Sequence, residues 1–160
     1  MDIRTATMDD LEQIAAVERA CFPAAEAATR EEFAQRLAHY ADHFWLMLDG
    51  ARLVAFVDGM VTDQADLSDE MYENAALHSE DGAWQMIFGV NTLPDYRRRG
   101  LAEQLLRRAI DDARTQGRRG LVLTCKDHLV HYYGKLGFVS EGVSPSTHGG
   151  AAWNQMRLTF

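Results

Sequence analysis

The run Val90-Asn91-Thr92-Leu93-Pro94-Asp95-Tyr96-Arg97-Arg98-Arg99-Gly100-Leu101-Ala102 has the make-up of an anion-binding turn. An apolar segment runs out, a short polar stretch follows, then come three arginines and a glycine, and a helix-period pattern begins. The first turn of any helix leaves four backbone N–H groups without partners and carries a partial positive charge. Gly100 lets the main chain approach a ligand closely, and Ala102 is small. Such a turn suits a pyrophosphate. A plain helix start with solvated arginines has the same local pattern.

The rest of the chain must position that turn. Its 160 residues are the size of one domain, read as 1–160, and long enough to bury a core without disulfides or metal. The periodicity predicts a strand at Ile3–Ala6 and a helix over Met8–Ala20, capped by Thr7 and broken by Phe22-Pro23. Thr29-Arg30-Glu31-Glu32 is a capping box that opens a second helix through Phe33, Leu37 and Tyr40. Strands at Phe44–Leu48 and Leu53–Val61 flank an Asp49-Gly50 turn. Residues 62–81 read as polar and irregular, with a short helix near Ser68–Asn74. Trp84–Val90 is apolar at nearly every position, as a strand covered on both faces would be. A helix over Leu101–Gln116 carries Leu101, Leu105, Ala109 and Ala113 on one face and stops at Gly117. A strand at Leu121–Thr124, a short helix over His128–Leu136 and strands from Gly137 to Thr159 complete an α/β, three-layer order.

Charge narrows the partners. The net charge is −8, yet between Arg97 and Arg119 eight arginines face only Glu103, Asp111 and Asp112. That segment is +5, which leaves −13 elsewhere. So acidic a chain is a poor match for nucleic acid, and one basic segment suits a small polyanion better. No apolar run approaches the ~20 residues of a membrane span, and the first residues do not read as a signal peptide. The expectation is a cytoplasmic protein with no membrane partner. Cys21 and Cys125 match no metal spacing, so the expectation is two reduced thiols and no metal.

Arg97-Arg98-Arg99-Gly100-Leu101-Ala102 resembles the acetyl-CoA motif of the GNAT (GCN5-related) N-acetyltransferase superfamily, Gln/Arg-x-x-Gly-x-Gly/Ala. A strand ending in Val90 and the Pro94-x-Tyr96 pair precede it, as in that family. Tyr132-Tyr133-Gly134-Lys135-Leu136-Gly137-Phe138 resembles its second signature, Tyr-x-x-x-Gly-Phe. The two motifs stand at family spacing, and the resemblance covers essentially the whole chain. Leu53-Val54-Ala55-Phe56 and Cys125-Lys126-Asp127-His128-Leu129-Val130 are similar to the arylalkylamine (serotonin) N-acetyltransferase branch. Two departures stand against that branch. About two more residues separate Val90 from Arg97, and Trp84 and Met86 stand where the branch carries paired histidines.

The resemblance implies an acyl-CoA N-acyltransferase fold. Its mixed, mostly antiparallel sheet is flanked by helices and splayed at strands 4 and 5. It implies acetyl-CoA as cosubstrate, a primary amine as acceptor, and direct attack in a ternary complex. Phe88, Gly89 and Val90 would lie along the pantetheine. Arg97, Arg98, Arg99, Gly100, Leu101 and Ala102 would hold the pyrophosphate. The Val90 amide would hold the thioester oxygen, and Tyr133, also at the cofactor, would protonate the leaving thiolate. An alkylamine of pKa ~10.4 is neutral in only about one molecule in 2,500 at pH 7, so a base or a desolvating site is required. Glu26, Glu70, Glu73, His78, Glu80 and Asp81 are candidate bases. Phe22, Trp45, Trp84 and Trp153 are candidate aromatic walls, and His148 a candidate substrate contact. Phe22, Glu26, Glu70, Trp84 and His148 form the expected acceptor set. Eight carboxylates and no lysine or arginine lie from Asp58 to Asp81, which would either steer a cationic amine or merely solvate a loop. A small cationic or aromatic amine leads; a peptide or protein amine, or an acyl-CoA-binding module without catalysis, stands as the alternative. Monomer and homodimer both fit.

Overall fold

The computed structural model describes residues 1–160. Strand β1 (Asp2–Thr5) leads into a 3₁₀ turn, Met8–Asp10, and helix α1 (Leu11–Cys21). The expected single helix therefore begins as a tighter turn. There Thr7 and Asp10 cap one another's backbone, and Arg4 clamps Asp10 with two bonds of 2.9 and 2.8 Å. Helix α2 (Arg30–Tyr40) starts at the reciprocal Thr29–Glu32 capping box. Strands β2 (Phe44–Asp49) and β3 (Arg52–Asp58) form the hairpin, and Gly50 takes the left-handed conformation its turn requires (φ +62°).

Two expected strands are broken, and the breaks face each other. The run Leu53–Val61 ends as β3 at Asp58 and resumes as β4 (Val61–Thr62). A Cβ on the intervening Gly59 would stand 1.8 Å from the Met86 carbonyl oxygen, so only glycine fits there. The run Trp84–Val90 divides at Phe88 into β5 (Trp84–Ile87) and β6 (Gly89–Thr92). The Phe88 amide bonds the Asp58 carbonyl at 2.7 Å across the double kink. One sheet has order β1-β2-β3-β6, the other β4-β5-β7-β9-β8, with β7 (Gly120–Cys125), β8 (Val139–Val143) and β9 (Asn154–Thr159). Only β5 and β7 pair in parallel.

That parallel ladder ends at Ile87↔Leu123, after which β6 follows β3 and the end of β7 follows β9. The two strands thus splay into a wedge, at the expected strand 4–strand 5 junction. Helices pack on both faces. Ile14, Ala15 and Val17 of α1 join Phe33, Leu37 and Tyr40 of α2 in one apolar layer, together with Met71 of α3 (Asp69–Glu73). Leu101, Leu105, Ala109 and Ala113 of α4 (Leu101–Thr115) join Tyr133 of α5 (Val130–Gly134) in the other. No helix is long and apolar enough to cross a membrane.

Candidate active site

The wedge between β6 and β7 opens into a cavity of about 280 Å³. Its floor is strand backbone: Phe88, Gly89 and Val90 on one side, Leu123, Thr124 and Cys125 on the other. In the β3–β6 ladder the Leu93 amide donates to the Val54 carbonyl at 2.9 Å. Antiparallel alternation then turns the backbones of Asn91 and Gly89 toward β3 and the Val90 N–H away from it, into the wedge. The structure therefore presents one strand amide where two strands have parted.

Beyond β6, Pro94–Tyr96 make a 3₁₀ turn, and Arg97–Gly100 lead into α4. Gly100 is left-handed (φ +73°), and a Cβ there would meet nothing within 4 Å. Backbone conformation and the open space beside it, not crowding, make glycine suitable. Arg98 is also left-handed (φ +63°), the only non-glycine residue so placed. The amides of Arg98, Arg99, Gly100, Leu101, Ala102 and Glu103 donate to no carbonyl; the first helical bond runs from Gln104 to Gly100. Two guanidiniums brace the turn itself. Arg97 Nε donates to the Thr92 carbonyl at 3.0 Å, and Arg99 donates to the Asp95 carbonyl at 3.1 Å while lying over the Tyr96 ring. The turn stands outside the cavity, at the far end of β6.

Tyr133 reaches the cavity from α5 and is 7 % exposed. Burial pushes its phenol above the ordinary tyrosine range, with no hydrogen bond opposing the shift. The hydroxyl therefore stays protonated at neutral pH. Tyr132 is half-buried beside it, edge-on at 5.1 Å. The Cys125 thiol, also on the cavity wall, is pushed up to about 11 by burial; both cysteines are free.

The opposite end of the cavity is built from side chains. Phe22, Glu26 and His148 line it, and so does Trp153. Glu26 pairs with Lys126 at 2.9 Å, and its carbonyl accepts from His148 Nε2 at 2.9 Å. His148 stacks on Tyr72 with centroids 4.6 Å apart, and its own carbonyl accepts from the Trp153 indole. Ser146 and Thr147 are tied to Asp69, so the 144–153 segment is strapped over this end.

Two expected acceptor contacts are corrected. Glu70 is exposed on α3 and does not line the cavity. Trp84 is buried, with the Arg119 and Arg157 guanidiniums over its ring, because β5 lies wholly inside the second sheet. Trp45 is likewise core, its indole bonded to Asp112. None of the eight carboxylates from Asp58 to Asp81 lines the cavity. Asp66 pairs with Arg157, Asp69 holds the strap, and Glu80 pairs with Arg118. Glu73, His78 and Asp81 are also away from the cavity.

His43, His78 and Glu80 bring three ligand-type atoms within 4.8 Å of one another, the grouping closest to a metal site. The Val61 amide donates to His78 Nδ1 at 3.0 Å, which places that ring's proton on Nε2, where it bonds Glu80. This tautomer suits a hydrogen-bonded cluster better than a metal ligand.

Sequence reasoning missed a buried polar cluster behind the cavity. Glu18 of α1 accepts from the Ala28 amide (2.8 Å) and the Asn91 side chain (2.6 Å). Arg36 of α2 bonds Asp58 (3.1 Å) and the Tyr72 carbonyl (3.0 Å). Burial raises Glu18 and pushes Asp58 up to about 7, with Arg36 opposing both shifts. A signal existed. Glu18 falls on the apolar face of α1, one turn after Ile14, and Asp58 is the only charged residue in Leu53–Val61.

The family model described as "Acetyltransferase (GNAT) family" matches residues 10–138. No curated protein sequence gives a significant match. Among solved structures, the chain is similar to a GNAT-like decarboxylase, GphF, in complex with isobutyryl-CoA. The TM-score is 0.82 and the identity 22 %, over 99 % of each chain. It is similar to the loading GNATL domain of CurA from Lyngbya majuscula, with TM-score 0.85 and 16 % identity over 99 % of this chain and 96 % of that one. A third is the ribosomal-protein-S18-alanine N-acetyltransferase from Escherichia coli, with TM-score 0.73 and 20 % identity over 99 % and 92 %. At these identities the likeness is one of fold.

Proposed function

The chain belongs to the acetyltransferase (GNAT) family, and from that premise we propose that it transfers an acetyl group from acetyl-CoA to a small primary amine, by direct attack in a ternary complex. The observation that carries this reading is the run of unbonded amides from Arg98 to Glu103, continuous through β6 with the Val90 amide in the wedge. The first set would hold the diphosphate, with Arg97, Arg98 and Arg99 around it. Pantetheine would lie along Phe88, Gly89 and Val90. The Val90 N–H would bond the thioester oxygen and then the oxyanion. The amine nitrogen forms the new C–N bond, the C–S bond breaks, and Tyr133 gives its proton to the departing sulfur, a contribution of roughly 10²–10⁴-fold.

Cavity chemistry supports an amine acceptor. Its two cations are already paired, Lys126 with Glu26 and Arg36 with Asp58, while Glu18 touches no cation. A carboxylated acyl group, as a decarboxylase would take, would lack a free cation here. Phe22 adds an aromatic wall, and the rings of Phe88 and Trp153 already lie beneath the Arg36 and Lys126 cations. The strap from Ser144 to Trp153 favours a small acceptor over a peptide. The arylalkylamine resemblance guides the choice of test amines.

The test is thiol release from acetyl-CoA across arylalkylamines, polyamines, aminoglycosides, amino acids and short peptides. Release that depends on a small amine is the expected result. Tight CoA binding with no release on any amine would favour a binding module, and release only with peptides would move the acceptor class.

A further inference from the structure

Three oxygens converge on one point beside the wedge. A Cβ built on Gly89 would stand 2.9 Å from Asp58 Oδ1, 3.0 Å from Asn91 Oδ1 and 3.8 Å from Glu18 Oε1. Asp58 and Asn91 are wholly buried, and neither of those two oxygens has a hydrogen-bond partner. The Asn91 side-chain amide group already gives its N–H to Glu18 at 2.6 Å. The amide turns its N–H side toward Glu18, so its oxygen and not a donor stands on the side of Asp58 Oδ1, beside Gly89. If both carboxyls were ionised, two acceptors would face each other in the interior without a proton between them, which is costly. Turning the Asn91 amide over moves the conflict to Glu18 and does not remove it. One shared proton resolves it in either orientation.

We infer that Glu18 and Asp58, gathered with Asn91 beside Gly89, share one proton, and that Glu18 is the group that takes the proton from the acceptor ammonium. This rests on the amine-acetylation reading above. Glu18 is the member of the set that lines the cavity, and Asp58 stands behind it, so Glu18 is the catalytic residue and Asp58 a positioning residue. The ammonium gives one proton to the Glu18 carboxylate, and the freed lone pair forms the C–N bond. The second proton lost by nitrogen replaces the one Tyr133 gives to sulfur. Acetyl-CoA and an ammonium thus yield amide, CoA thiol and one proton, which leaves through Glu18. The pair already holds one proton, so Glu18 takes the ammonium's as a second, transient one and releases it before the next turnover; burial holds both carboxyls above their ordinary range. The charged or titratable groups around the pair are Arg36, Tyr40 and Glu32 from α2, Tyr72 from α3, Cys21 from α1 and His148 from the strap.

The test has two arms. In the first, the carboxyl carbons of Glu18 and Asp58 are titrated by NMR in the unmodified protein, assigned with Glu18→Gln and Asp58→Asn. One proton retained by the pair to near neutral pH, with both signals moving together, is expected. Both carboxyls ionised by about pH 5 would overturn the inference. In the second, Glu18→Gln is assayed with the fastest amine of the thiol-release screen and with a less basic analogue. A loss of roughly 10²-fold in kcat is expected for the basic amine, shrinking at high pH and with the less basic analogue. An equal loss for both amines at every pH would mark a purely structural role and overturn the assignment. Absence of turnover with every amine would sink the acetylation reading and the base role with it, while the titration would still report the shared proton. Turnover without that proton would sink the relay alone.

Discussion

The two ends of the site are made differently. The Arg98–Glu103 turn is backbone, six amides consecutive in sequence without a carbonyl partner, leading into the start of α4. The other end, proposed for the acceptor, is side chains from segments far apart: Glu18, Glu26, Tyr72, Asn91, Lys126 and His148, crossing from one half of the chain to the other. A backbone site needs only a local conformation, so a few residue types announce it. A side-chain site exists only after the layers close.

The largest expected effect probes the backbone end. Gly100→Asp puts a carboxylate and a strained left-handed residue at the diphosphate, and CoA affinity falls by about 10²-fold or more by calorimetry. Unchanged affinity would remove the turn as the diphosphate site. Arg97→Ala and Arg99→Ala, whose guanidiniums already brace the turn, cost less, roughly tenfold. Tyr133→Phe lowers kcat by about 10²-fold and leaves the acyl-CoA Michaelis constant within about twofold; steady-state kinetics at saturating donor would read it, and equal turnover would retire the phenol as acid.

Smaller effects sharpen the side-chain end. Asp58 is pushed up to about 7 in the folded chain from 3.8. Between those values the folded state binds more protons than the unfolded one, so this group makes stability fall as pH rises from about 4 to about 7. Asp58→Asn should flatten that slope in denaturation midpoints measured across the range; an unchanged slope would mean the carboxyl ionises normally. The smallest effect is at Arg98, left-handed without being glycine. Arg98→Gly relieves a strain of about 1 kcal/mol, and a denaturation curve would show the gain.

Much of the fold was legible because it rests on local pattern. The capping box at Thr29, the Asp49-Gly50 turn and the α4 stripe all appear where their residues direct. The kink was not. Leu53–Val61 and Trp84–Val90 each read as one apolar strand, and only the approach of Gly59 to Met86 shows why both must break. The cavity partners were half visible. Phe22, Glu26, Tyr133 and His148 arrive together, but Glu70 and Trp84 do not, since family topology places a loop near a mouth without saying which face it turns. The carboxylate-rich stretch illustrates the limit, because composition counts charges and cannot show that Asp66, Asp69 and Glu80 are already engaged.

The most direct test follows backbone amide resonances as CoA is added. The account predicts that the amides of Arg98 to Glu103 and of Val90 shift together and become protected from exchange. If they stay unmoved while CoA binds elsewhere, or if no binding occurs, the diphosphate-gripping turn at the centre of the account is contradicted.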